Sequence, residues 1–388
     1  INFAGGNGTE ADPYVIANAG DLMQIAKAPA AYYIVANDID CDNYPMGGNN
    51  CDFNGSIDGQ KHNIKNLNLV GSSLLGNLIG AAQVKNITFV RPTVTPQGSY
   101  AAIVGTEANY DGTTAPAISN VYVLEGEVAN TDYDGIFGTF IGKMTTGSTI
   151  SASAASDTYI ELPNATVGGI AGEINASGAN IYAVTFTGTI DADIAGGVVG
   201  TVTNGNVHDA HVNAAIVGST GAGGVVGEIG EHSQARGTFA NCFVEGTIES
   251  TNTPEANLGG IAGNVVPGTN KCITNNFVAI DEIKFDGSVK SGAHRIVGHT
   301  CADELGEILW EDPWWDTFEG DPYEHPELWP RAEVQPDAGF ENNYAIAPAE
   351  PVNGDAKMAE DHTSVEGKTV IETGEELREL FVAQGFLF

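Results

Sequence analysis

All four tryptophans of the chain, Trp310, Trp314, Trp315 and Trp329, fall between residues 303 and 330. In that stretch, DELGEILWEDPWWDTFEGDPYEHPELWP, ten acidic residues surround them without a Lys or Arg. Flat rings beside carboxylates suit sugar binding, because the CH face of a pyranose packs on a ring while its hydroxyls meet acceptors. Trp310, Asp312, Trp314, Trp315, Asp316, Tyr323 and Trp329 are therefore candidate ligand contacts, for a glycan or for a protein partner that wants an aromatic hot spot. A competing reading makes the same rings a structural plug, and adjacent Trp314 and Trp315 cannot both face one way in an extended segment. Catalysis is a third reading.

Other groups are weaker candidates. In NDIDCD, Asp38, Asp40 and Asp42 alternate, so an extended backbone would set them on one side, where they could hold Ca²⁺. In TIDADI, Asp191 and Asp193 share a face and could divide acid and base roles. Yet a chain with 50 Asp and Glu makes chance pairs of this kind. HDAH places His208 and His211 like a metal pair, but both read as outward, solvated strand positions. Cys41 and Cys51 flank DNYPMGGNN and are a candidate disulfide; the other cysteines are Cys242, Cys272 and Cys301. An odd total leaves one thiol unpaired in a monomer, and no CxxC supports a zinc or redox site. No cofactor is expected beyond that weak Ca²⁺ option, and no catalytic residue is assigned.

The elements that would carry these groups are repetitive. GGIAG occurs at 168–172 and 259–263, and GGVVG at 196–200 and 223–227. Aligned on φ-x-G, the series runs through Gly80, Gly105, Gly138, Gly172, Gly200, Gly227, Gly263 and Gly298, at gaps of 25 to 36 residues. That is solenoid spacing. Apolar residues alternate around each glycine, as in Ile170, Gly172 and Ile174, which predicts half-buried strands. The last glycine of each pentapeptide then points inward, where close approach rewards a missing side chain. A second signature, φ-x-N-φ-x-φ, appears as VKNITF, ISNVYV, FANCFV and ITNNFV, with VHDAHV and IYAVTF as variants. Its apolar positions change phase at the central residue, so a corner is expected there. Asn86, Asn120, Asp209, Asn241 and Asn275 suit the left-handed backbone such a corner needs. Cys242 falls in the inward column with Ile87 and Val121. Neither strand buries its face alone, so the repeats must stack. The fold class read here is all-β: a right-handed parallel β-helix with short capping helices, handedness following the crossover preference.

These features resemble the GLUG-repeat solenoids of bacterial surface proteins, whose repeat core is similar to this G-G-φ-φ-G. GNGTEADPYVIANAGDLMQIA resembles that family's opening, and FNGSIDGQKHNIKNLNL its first coils; AHRIVG and NNYAI resemble its last ones. The departures are the Cys41–Cys51 loop and the long insertion after Gly298. The resemblance implies a cell-surface or secreted protein, an adhesin-like binder of glycan or of a host or matrix protein. Similar repeats also precede some IgA-cleaving metallopeptidase domains, but their HExxH signature is not in this sequence.

Composition limits the partners. A formal charge of −35, from 15 Lys and Arg against 50 Asp and Glu, repels phosphate backbones and anionic lipid. Nucleic acid is excluded on that ground. No apolar run is long enough for a transmembrane segment. The start, INFAGGNG, lacks Met, which suggests a trimmed leader and export to the surface, as an outer-membrane lipoprotein or a secreted monomer. The expected organisation is 1–302 as β-helix with its N-terminal cap, 303–338 as the Trp-rich acidic insertion, and 339–388 as the last coils and a cap helix. Asn18 with Asp21 opens the front helix, over Leu22, Met23 and Ile25. Thr373 with Glu376 opens the rear one, with Leu377, Leu380 and Phe381 as its apolar stripe and Gly385 as its stop. The alternative function is a carbohydrate-active enzyme, a polysaccharide lyase or glycoside hydrolase. It would require carboxylates from different coils to converge.

Overall fold

The computed structural model describes residues 2–230, 236–251, 256–265, 270–280, 283–285, 288–289, 295–300, 340–341, 343–346 and 368–370. Among these residues the structure is nearly all strand. One sheet joins 33 strands, and every pairing is parallel except the short hairpin of Ile283–Phe285 with Ser288–Val289. Each segment pairs with the segment one repeat further along the chain. The sheet is therefore a stack of rows, continuous for 20 to 26 residues in Thr149–Gly168, Ala171–Gly196 and Val199–Gly223.

Register explains the alternation. Tyr33, Ile57, Val84, Ile118, Ile150, Ile181, Val207, Phe239 and Ile273 pair row by row and are all buried. Beyond the corner, Ile39, Ile64, Phe89, Val123, Ala155, Phe186, Val212, Val244 and Val278 form a second buried column. Polar residues fill most of the alternate positions, with Val90, Leu124, Phe243 and Phe277 among the exceptions. Burying an aliphatic side chain contributes roughly 1.5–3 kcal/mol, so a slip by one residue would forfeit a whole column at once.

The corner between the columns is left-handed, as the Asn signature predicts. Asn86, Asn120, Ala152, Ala183, Asp209, Asn241 and Asn275 lie in register with φ between 48° and 58°. A stacked hydrogen-bond ladder forms only in part. Asn86 Nδ2 donates to Asp58 Oδ1 at 3.0 Å and Asn241 Nδ2 to Asp209 Oδ1 at 3.2 Å, while two alanines interrupt the column between them.

The glycine repeat marks another corner, and here one expectation needs correction. Strands end at Gly168, Gly196 and Gly223 and resume at Ala171, Val199 and Val226, so GGφφG straddles a bend rather than lying within one strand. Register aligns Gly142, Gly172, Gly200, Gly227, Gly263 and Gly298. A Cβ at each of the last five would lie only 2.5–2.8 Å from the carbonyl oxygen of the preceding glycine in the column. Gly80, Gly105 and Gly138 do not belong there: Gly138 pairs with Gly168, Gly105 with Ile141, and Gly80 is a turn glycine at φ 57°. For the same reason Ile136 pairs with Thr166, and Phe140 takes the place above Ile170 in the line continued by Val198, Val225 and Ile261.

At the front of the stack, Asn18 caps the short helix Ala19–Leu22 by accepting from the Asp21 amide at 3.0 Å. The Asp21 carboxylate returns a bond to the Ala17 amide at 2.9 Å. Leu22 and Ile25 are buried and Met23 packs against the core. The rear helix expected over 373–385 lies outside the described residues.

Cys242 occupies the inward column, as expected, and its burial pushes the thiol up to about 12. In the next rows the same position is polar. Asn276 and Asn343 are wholly buried and satisfy one another: Asn276 Nδ2 donates to Asn343 Oδ1 at 3.1 Å and to Phe239 O at 3.0 Å. Asn343 Nδ2 donates to Ile273 O at 2.7 Å, and the Cys242 amide donates to Asn276 Oδ1 at 3.0 Å.

Candidate binding face

The sequence-derived candidates disperse. Trp310, Asp312, Trp314, Trp315, Asp316, Tyr323 and Trp329 all lie outside the described residues. The acidic triplet does not converge. Asp38 accepts from the Asn63 amide at 2.9 Å, from Asn63 Nδ2 at 3.2 Å and from Lys65 Nζ at 3.3 Å. The Asn63 amide bond, with help from Lys65, draws its carboxyl down to about 2. Asp40 accepts from Asn66 Nδ2 and from the Asp42 amide, both at 2.9 Å. Asp42, at φ 53°, has left the strand for a turn, so the three do not alternate along one extended segment. Among the described residues no three His, Cys, Asp or Glu side chains gather in a way that could hold a metal.

Cys41 and Cys51 are both free thiols, contrary to the candidate disulfide. Cys41 is buried, its amide bonded to Lys65 O. Cys51 begins a different strand, pairs with Gly76, and donates to Leu75 O at 3.2 Å. The strand Pro45–Met46 separates them.

His208 and His211 face outward, as read, but the left-handed corner at Asp209 places them on different faces. Each takes a carboxylate: His208 Nδ1 lies 2.7 Å from Asp209 Oδ2, and His211 Nε2 lies 2.8 Å from Glu245 Oε2. The His208 ring also stacks on Tyr182, with centroids 5.2 Å apart and planes 4° from parallel.

Asp191 and Asp193 do share a face, flanking buried Ala192, but they are not the chemical pair. Asp193 accepts from the Ser219 hydroxyl at 2.6 Å and from that of Thr220. Asp191 stands beside Glu161 of the preceding row, and Tyr159 donates its hydroxyl to Glu161 at 2.9 Å. Burial, and then the Glu161 charge, push the Asp191 carboxyl up from 3.8. A raised carboxyl binds its proton more tightly when folded, so stability falls as pH climbs from the usual carboxylate range through the raised value. Asp191→Asn should therefore stabilise the protein at pH 7, by about 0.5 kcal/mol, the scale of a like-charge cross-strand pair. The gain should vanish at pH ~3, where both forms are neutral. Thermal melts at the two pH values check this.

A second feature escaped the sequence reading altogether. Rows 83–90, 117–124, 149–156, 180–187 and 206–213 stack on both sides of the left-handed corner. Their forty residues carry one carboxylate, Asp209, where the chain-wide frequency of 50 in 388 would place about five. Strand preference does not explain this, because other outward columns of the same sheet are acidic: Glu107, Glu173 and Glu228 in one, Glu161, Asp191 and Glu249 in another. On one side of the corner Tyr122 and Leu124 stay 37–38% exposed, near Ser156, Thr185 and Thr187, and on the other Tyr182 stays 37% exposed, in the column of Ser119 and Ser151. Rows of hydroxyls with half-exposed rings can hold an uncharged, partly apolar ligand. The signal was present in sequence, but only register shows that these rows are stacked on one another.

Comparisons with known proteins bear on the fold. No family model matches the chain. Halomucin of Haloquadratum walsbyi (strain DSM 16790 / HBSQ001) is 29% identical over 203 residues, a match covering 48% of this chain and 2% of that protein. Among solved structures, a Bacteroides ovatus protein named "putative immunoglobulin A1 protease" superposes with a TM-score of 0.50 at 20% identity. That match covers 80% of this chain and 91% of the other. At that identity the likeness concerns the fold alone. No helix among the described residues is long and apolar enough to cross a membrane.

Proposed function

We propose that this chain is a GLUG-type right-handed parallel β-helix, exported to a cell surface or secreted, that acts as a non-enzymatic, adhesin-like binding protein. Its ligand is a glycan or a host or matrix protein, and the stack of rows serves as rigid display surface. The observation that supports this reading best is the set of five stacked rows, with exposed rings and one carboxylate, kept on a chain of charge −35. The partial likeness to halomucin accords with export. Binding of the purified protein to a glycan array and to immobilised matrix proteins tests the reading; silence on both would sink it.

The enzyme alternative has one feature in its favour, the Tyr159–Glu161–Asp191 group with its raised carboxyl. Neighbouring carboxylates, one of them held above its ordinary value, are what glycoside hydrolysis uses. If that reading holds, purified protein releases reducing ends from a polysaccharide, and Asp191→Asn abolishes the release. The name carried by the Bacteroides ovatus relative raises peptidase activity as a further question, and it is carried by fold likeness alone.

A further inference from the structure

We propose that the outer trough at the glycine corner seats basic side chains of a protein partner, with a notch between Glu173 and Glu228 that takes a Lys or Arg. This narrows the binding-protein reading to a basic protein and rests on that reading. Two outward columns meet at the trough. One runs Tyr100, Ile136, Thr166, Ile194, and the other Glu107, Lys143, Glu173, Thr201, Glu228, each in register from row to row. The bare glycines bring the two together. A Cβ at Gly172 would lie 2.6 Å from Ile136 Cγ2, one at Gly200 2.7 Å from Thr166 Cγ2, and one at Gly227 2.6 Å from Ile194 Cγ2. Side chains touch across the corner as well: Tyr100 donates its hydroxyl to Glu173 Oε2 at 3.4 Å. Ile136 therefore stands beside Glu173, Thr166 beside Thr201, and Ile194 beside Glu228.

The trough already holds one cation of its own. Lys143 lies between Glu107 and Glu173 in its column and carries its ammonium 5.0 Å from the centre of the Tyr100 ring. Two rows on, Thr201 lies between Glu173 and Glu228 in the same way, but the chain supplies a hydroxyl there instead of a charge. The short side chains of Thr201 and Thr166 leave a notch with a carboxylate and an isoleucine on either side, all half-buried. A Lys or Arg of a partner would lay its methylene stem on Ile136 and Ile194 and present its head to the two carboxylates. A metal ion would gain nothing from that apolar wall, and it wants roughly six to eight oxygens where the notch offers few. An anion would be repelled, and a neutral ligand would cover two carboxylates without compensating their charge. The charge of −35 draws basic proteins to the whole surface, and the notch gives them a defined place on it.

Labelled octalysine, titrated by fluorescence anisotropy at about 0.15 M salt, is the probe. Thr201→Lys fills the notch from within, as Lys143 does at its own row, and should weaken octalysine binding by about tenfold, the scale of one charge-assisted contact. Val217→Lys is the control of equal charge, since Val217 lies between Asp191 and Glu249 in another outward column. It should weaken binding by less than about twofold. Glu228→Gln keeps the shape of the side chain and should cost about tenfold as well. Lys143→Thr opens a second notch, between Glu107 and Glu173, and should tighten binding several-fold. Equal losses in Thr201→Lys and Val217→Lys mean attraction to net charge alone and overturn the assignment. Ca²⁺ binding by the parent chain that Thr201→Lys abolishes overturns it too, as does a parent chain that ignores octalysine. The wider reading survives each of these results if a glycan or a matrix protein still binds the parent. Silence toward octalysine, glycans and matrix proteins alike removes both.

Discussion

Gly197→Ala is expected to destabilise the protein by about 3 kcal/mol, the upper range for overpacking in a close-packed interior. A Cβ at Gly197 would collide with the Gly224 carbonyl oxygen and lie 2.7 Å from Val212 Cγ1 and 3.1 Å from Cγ2. The carbonyl belongs to the next row's backbone, and Val212 is a buried member of the second column. Neither can retreat without breaking register with its own neighbours. The same collision recurs at Gly224 with Gly260 O and at Gly169 with Gly197 O, so each row is seated against the next through bare glycine. Gly230→Ala is the control. Its nearest atoms are Thr203 Cγ2 at 3.7 Å and Glu228 Oε1 at 3.8 Å, ordinary contact distances. It should change stability by less than about 0.5 kcal/mol. Urea titration of both variants decides the matter, and equal midpoints would refute the role given to the glycine corner.

The second large effect is expected at Asn276. Asn276→Leu removes the acceptor of the Cys242 amide and the donor to Phe239 O, and it leaves Asn343 Oδ1 only the longer bond from the residue 276 backbone amide, at 3.3 Å. Buried polar atoms left without partners cost about 1–3 kcal/mol each. A total of ~3 kcal/mol or more is expected after relaxation. The damage should be local. Asn276 and Asn343 are 67 residues apart in sequence yet adjacent in the stack, so they tie the row at 343–346 to the row at 273–278. Hydrogen exchange should accelerate in rows 239–244, 273–278 and 343–345 while rows before residue 200 keep their protection. Uniform acceleration along the chain would contradict a row-by-row account.

Much of the fold is legible in the sequence because it depends on local chemistry. Alternation reveals which side chains of a strand are buried, and Asn at a phase change reveals a left-handed corner. Both readings hold at Asn86, Asn120, Asn241 and Asn275. Cys242 was placed by the same logic. What spacing could not show was which glycine does which work. Gly80 and Gly138 match the motif as well as Gly172 does, yet one serves a turn and the other a different corner position. The distinction lies in contact with a neighbouring carbonyl, which no single row encodes.

The candidate surfaces are less legible. Glu161 and Asp191 are thirty residues apart, and the ladder between their rows shifts register between Ala155 and Thr158 and again between Leu162 and Thr166. Counting repeats therefore does not bring them together. The weakly charged rows are likewise distributed over five segments, each unremarkable alone. In the tryptophan segment, by contrast, unusual residues sit side by side and are conspicuous in the sequence.

Because the backbone hydrogen bonds run from one row to the next, along the direction in which rows accumulate, the molecule has a mechanical grain. Tension between the two ends would load those bonds lengthwise, a strand's worth at a time, and the layers would peel in succession. Under load such a stack would yield in small steps, paying out about one row of chain at a time.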